Sequence, residues 1–155
     1  MRTLIFGTPI VSFGPSLGLL ALRLVMGGFM FFGHGLGKLK AFSTLKDSFP
    51  DPLGIGSALS LGGAVASETL FAGLLMVGWA TRLSTLPLIF TMLIAAFVVH
   101  GGDPLFMSKT GGSKEPALLF LSGYLALFFT GPGCLSLDML VKKNKAKEDW
   151  GSPLT

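Results

Sequence analysis

The sequence predicts an all-α integral membrane protein, a four-helix bundle forming a single domain over residues 1–155, with both termini cytoplasmic. Three observations predict it. Half of the residues are hydrophobic and 13% are charged, about half the charged share of an average soluble domain. The mean hydropathy is +0.70, so a soluble fold would lack a polar shell and the bilayer is the fitting solvent. The apolar residues also gather into four long runs, each near the roughly 20 residues that a hydrocarbon core requires.

The first run covers 16–37, SLGLLALRLVMGGFMFFGHGLG. Arg23 and His34 lie eleven residues apart in it, nearly a whole number of turns at about 3.6 residues each, so they are predicted to share a face. Lys38 follows His34 by one turn. The loop at 38–56 holds Phe49-Pro50-Asp51-Pro52 and reads as an ordered surface cover. The second run, 57–79, has Glu68 near its middle, and Arg82 fourteen residues on is predicted near the same face. The link ATRL is short, which makes the second and third runs antiparallel neighbours. The third run, 84–100, has Pro87 in its first turn, where proline costs little, and ends on His100. A glycine-rich loop over 101–115, expected to be mobile, leads to the fourth run, 116–133. Pro116 opens that run and Gly131-Pro132-Gly133 closes it. Gly27, Gly28, Gly33 and Gly37 in the first run, and Gly62, Gly63 and Gly73 in the second, are expected to let helix backbones approach closely.

The net charge of +4 is unevenly placed. The basic tail over 138–155 carries Lys142, Lys143, Lys145 and Lys147 without interleaved aromatics. That excludes a nucleic-acid partner and suits a solvated tail beside an anionic membrane surface. Arg2, Arg23, Arg82 and the tail lysines fall on one side of the predicted bundle. Lys38, Lys40, Lys46, Lys109 and Lys114 fall on the other, so the positive-inside bias sets the first side in the cytoplasm. The N-terminal stretch shows no small-residue cleavage site and is not read as a signal peptide. Cys134 is the lone cysteine, so dithiol chemistry within the chain is excluded.

Ionisable side chains inside apolar spans face protein or a wet cavity by default. His34, Lys38, Glu68 and His100 are the candidate ligand-binding or proton-relay residues. His34 and His100 lie toward the outer ends of their runs, with Lys38 and Glu115 near that level and Glu68 deeper as a floor. The glycines at 33, 35 and 37 leave room beside them. Arg23, Arg82 and Glu115 are the candidates for a structural polar network. Phe31, Phe32, Phe71 and Phe97 are candidates to flank an aromatic ligand.

Three stretches together resemble the DoxX family of small membrane proteins. They are LLALRLVMGGFMFFGHGLGKL, ETLFAGLLMVGWATRLSTLPL and GPGCLSLD, in the family's order. Arg23, His34, Lys38, Glu68, Arg82 and Asp138 carry the likeness. It implies a four-helix membrane bundle and an association with quinone-linked oxidation of sulfur compounds and with redox stress. The expected location is the bacterial inner membrane. The catalytic residues are not assigned by the resemblance.

Four functions fit the residues. In a quinone-linked oxidoreductase subunit, His34 or Lys38 would donate to a quinone carbonyl and Glu68 would carry a proton, with electrons supplied by a soluble or membrane redox partner. In a non-enzymatic scaffold that recruits soluble redox partners, Glu68 would pair with Arg23 or Arg82. A small proton, cation or solute transporter would use Glu68 along its path, and a homo-oligomer would widen the pore. Haem or metal held by His34 and His100 is the fourth.

Overall fold

A computed structural model describes residues 12–107 and 111–151, with 145–151 by backbone alone. The signal-peptide reading, Arg2 and Lys109 lie outside the described residues. The described residues are helical and contain no strand. Helix α1 spans Phe13–Lys40, α3 Ser57–Val77 and α4 Thr81–Val99; all three are long and apolar enough to cross a membrane. Helix α5, Glu115–Thr130, is apolar but shorter, at 16 residues. A short α2, Phe42–Leu45, lies in the loop after α1. The basic tail begins as a helix, α6, Leu137–Gly151.

Helix α1 packs on α3 and α5, and α4 packs on α3 and α5. Leu75, Leu88, Tyr124 and Leu127 are fully buried at the centre. The exposure pattern is inverted relative to a soluble protein. Arg23 is fully buried and Glu68 is 3% exposed, while Phe29 and Phe97 are 65% and 61% exposed. Such apolar surface is stable against lipid, and the charges turn inward because lipid cannot solvate them.

Two glycines set the spacing of α1 and α3. A Cβ on Gly27 would lie 2.5 Å from the Met76 Cγ, and one on Gly35 would lie 2.5 Å from the Glu68 carbonyl oxygen. The other glycines expected to do this do less. A Cβ on Gly28, Gly33, Gly37, Gly62 or Gly63 would meet nothing within 4 Å, and on Gly73 only the edge of Phe31. Pro87 is also deeper than expected. Helix α4 starts at Thr81, so the proline lies inside the helix, where it has no N–H to give to the preceding turn.

Three of the helices contain π-helical stretches: Phe29–Gly35 in α1, Ala66–Phe71 in α3 and Ala95–Val99 at the end of α4. Leu36 N–H donates to the Phe31 carbonyl, Ala72 N–H to that of Ser67, and His100 N–H to that of Ala95. These i→i−5 bonds widen the turn, a geometry frequent at functional sites.

Candidate functional site

The charged residues separate into two groups at opposite ends of the helices. At the first end, the Arg23 guanidinium donates to the carbonyls of Leu135 and, at 3.5 Å, Met76. The Asp138 carboxylate lies close enough to act on it electrostatically. Asp138 itself accepts from Ala80 N–H at 2.6 Å and Thr81 N–H at 2.9 Å, capping the start of α4. Those are the donors that a helix N-terminus leaves unpaired. The cap holds a tight α3–α4 turn in which Gly78 has φ +72° and Ala80 φ +45°. A side chain on Gly78 would collide with the Arg23 guanidinium. Arg82 donates to the Phe129 carbonyl at 3.2 Å, at the same end.

Two expectations fail here. Glu68 pairs with neither Arg23 nor Arg82. Helix α3 ends at Gly78, so Arg82 belongs to the next helix and the count of turns from Glu68 does not carry across. Glu115 does not join the arginines in one network, since it starts α5 at the other end and accepts from Met107 N–H at 3.0 Å.

At the second end, Lys38 Nζ donates to both Glu68 oxygens, at 2.5 and 2.6 Å. The ion pair lines a cavity of about 770 Å³, and His34 and His100 line it too. The remaining wall is mainly apolar and includes Met30, Phe49, Phe90, Pro87 and Phe120. All three π stretches contribute to it: Met30 and His34, Ser67 and Glu68, Ala95 and Val99. The loop over 38–56 covers it, through Phe49, Pro50, Pro52, Leu53 and Ile55. Asp51 braces that cover against α3, accepting from Gly56 N–H at 2.7 Å, Ile55 N–H at 3.1 Å and the Ser60 hydroxyl at 2.7 Å. The Ser60 hydroxyl first, and then the Gly56 N–H, hold the Asp51 carboxyl below its usual range.

The structure thus brings His34, Lys38, Glu68 and His100 to one cavity and leaves Glu115 out of its wall. His34 is exposed, unlike the fully buried Arg23. The π stretch between them breaks the 3.6-residue register that had put both on one face. His34 makes no hydrogen bond among the described residues and sets its ring edge-on to Phe120, centroids 5.9 Å apart. His100 is tied through Nδ1 to Asp103 at 2.7 Å. The phenylalanines expected to flank a ligand do not line the cavity. Phe32 and Phe97 face outward, and Phe31 and Phe71 pack on the core.

Several cavity residues carried no signal in the sequence. Ser67 and Thr91 join their hydroxyls across α3 and α4 at 2.8 Å on its wall. Ser113 lines it with a buried Oγ that has no partner. Asp103, three residues after His100, was open to the same spacing argument that found Lys38. Among the described residues, no three His, Cys, Asp or Glu side chains group to hold a metal ion.

The DoxX family matches residues 18–101. An uncharacterized protein of Haemophilus influenzae is 33% identical over 141 residues, covering 88% of this chain and 91% of that one. No solved structure matches the chain. The matched segment holds α3, α4 and α1 from residue 18 on, with Arg23, Lys38 and Glu68 among their polar residues, and this membrane protein belongs to the DoxX family.

Proposed function

We propose that the chain is the membrane subunit of a quinone-linked redox system. It is a four-helix bundle of the bacterial inner membrane, with the Arg23 end and both termini cytoplasmic and the cavity near the outer face. The observation that carries this reading is the largely apolar cavity of about 770 Å³ with His34, Lys38, Glu68 and His100 in its wall. A few polar groups in an apolar pocket are what an orienting small-molecule site requires. The residues present fit a quinone: the unpaired Ser113 Oγ and the imidazole of His34 are available to its carbonyl oxygens. Phe90 and Phe120 offer flat apolar surface. A bound quinone would supply the capacity to take up two electrons and two protons. The chain's part is to bind, orient and deliver protons. Lys38 holds the Glu68 carboxylate in place on the cavity wall, where it would serve as the relay group for a proton bound for the quinone. Electrons come from a partner subunit.

The second reading is a scaffold without chemistry. It is favoured by the direct Lys38–Glu68 pair, which satisfies both oxygens without a ligand. Titration of the purified protein with a quinone analogue, on wild type and on His34→Gln and Ser113→Ala, separates the two. Weakened binding with an unchanged Tm supports the quinone site; no binding to wild type leaves the scaffold. An absorption spectrum of the same sample tests for haem held by His34 and His100.

A further inference from the structure

A second depression lies on the outside of α1, beside α5, and is lined by Leu24, Phe29 and Phe32 over a floor at Gly28 and Gly33. Phe29 and Phe32 are 65% and 64% exposed, so this groove opens on lipid. Two residues line both the groove and the interior cavity: His34 and Phe120. They meet only ring edge to ring face, at 5.9 Å and 88°. Parting them breaks no hydrogen bond between them, and His34 has none to lose among the described residues. An exposed histidine on a membrane helix is costly unless something polar visits it.

We infer that the cavity takes a tailed amphiphile from the side. Its hydrocarbon chain lies in the α1 groove while its polar head passes between His34 and Phe120 to reach Lys38, Glu68 and Ser113. The inference rests on the quinone-type site proposed above and adds the route and the tail. The groove shares the His34–Phe120 wall with the cavity, its lining away from that wall is apolar, and it opens on the solvent in which such chains dissolve. Gly28 and Gly33 line it, and a large side chain at either would take up its space. In most helices those positions would be occupied, since glycine weakens a helix.

The glycines also supply the test. A Cβ at either position meets nothing within 4 Å, so leucine there fills the groove without pushing on the fold. Decyl-ubiquinone and its tail-less head group are titrated into wild type, Gly33→Leu and Gly28→Leu in one detergent. Wild type is expected to prefer the tailed quinone by roughly tenfold. Gly33→Leu should lose that preference and keep its affinity for the head group. If Gly33→Leu loses both ligands, Gly28→Leu, farther from the doorway, decides by the same criterion. If both variants bind the tailed quinone as wild type does, the lateral route is overturned and the quinone site stands. If wild type binds neither compound, both fall together.

Discussion

At the Arg23 end, buried charge is matched to backbone. The guanidinium serves carbonyls of α3 and of the segment before α6, and Asp138 serves the first N–H groups of α4. The Arg23 Nε and the Thr81 Oγ1 are also buried there, without a hydrogen-bond partner among the described residues. At the cavity end, Lys38 and Glu68 satisfy each other on the wall of a hole, next to an unpaired serine hydroxyl and a histidine held only by ring packing. Both ends bury charge in an apolar setting, so burial of charge alone does not mark a functional site. What marks the second end is the open volume of about 770 Å³ beside its charge.

Substitutions can break or sharpen this contrast. The largest effect is expected from Arg23→Met, which strips the donor from the carbonyls of Met76 and Leu135. Unpaired buried groups cost about 1–3 kcal/mol each, so the Tm in detergent should fall steeply, and Asp138→Ala should follow closely. An Arg23→Met protein as stable as wild type would end the structural reading of that end. Next come Glu68→Leu and Lys38→Met. Each strands one member of a pair, a loss of up to about 3–5 kcal/mol for fully buried pairs, reduced here because the Lys38 side chain is 27% exposed. The double variant should recover much of the Tm, and a failure to recover would mean that the two do not pair. His34→Gln should leave Tm nearly unchanged and weaken quinone-analogue binding by roughly tenfold, the scale of one lost polar contact of about 1.4 kcal/mol. The reverse pattern would make His34 structural. The smallest effect belongs to Asp51→Ala. Its carboxyl is held low by the Ser60 hydroxyl, so its contribution to stability is present above the unfolded value of about 3.9 and is lost as pH falls through the lowered folded one. Wild-type and variant Tm curves should therefore differ near neutral pH and converge in acid.

The sequence carries the helices and the choice of polar residues well, and the partners poorly. Runs of apolar residues located α1, α3, α4 and α5 to within a few positions, because span length is set by the thickness of the bilayer. His34, Lys38, Glu68 and His100 stood out because charge in such runs is rare. Partners depend on phase, and phase was lost at the π stretches, which have no recognisable sequence pattern. The extra residue in a widened turn put His34 off the face of Arg23. The scaffold reading pairs Glu68 with an arginine, whereas its partner is Lys38, with which the candidate site already grouped it. The cavity's phenylalanines, Phe49, Phe90 and Phe120, are not the ones the sequence points to. Aromatic residues on a lipid-facing helix look alike in sequence whether they line a cavity, as Phe90 and Phe120 do, or do not, as Phe97 does not.

Asp138 gives the order of assembly a direction. Helices α3 and α4 are joined by a short turn and could pair as soon as both leave the ribosome, yet the carboxylate that closes the turn arrives 57 and 58 residues later. Until then Ala80 must hold its left-handed backbone without that support, and the first N–H groups of α4 lack their acceptor. The hairpin is therefore set first and locked later. A segment synthesised after both helices works as a latch on the pair, and a chain cut before Asp138 would leave that pair able to swing.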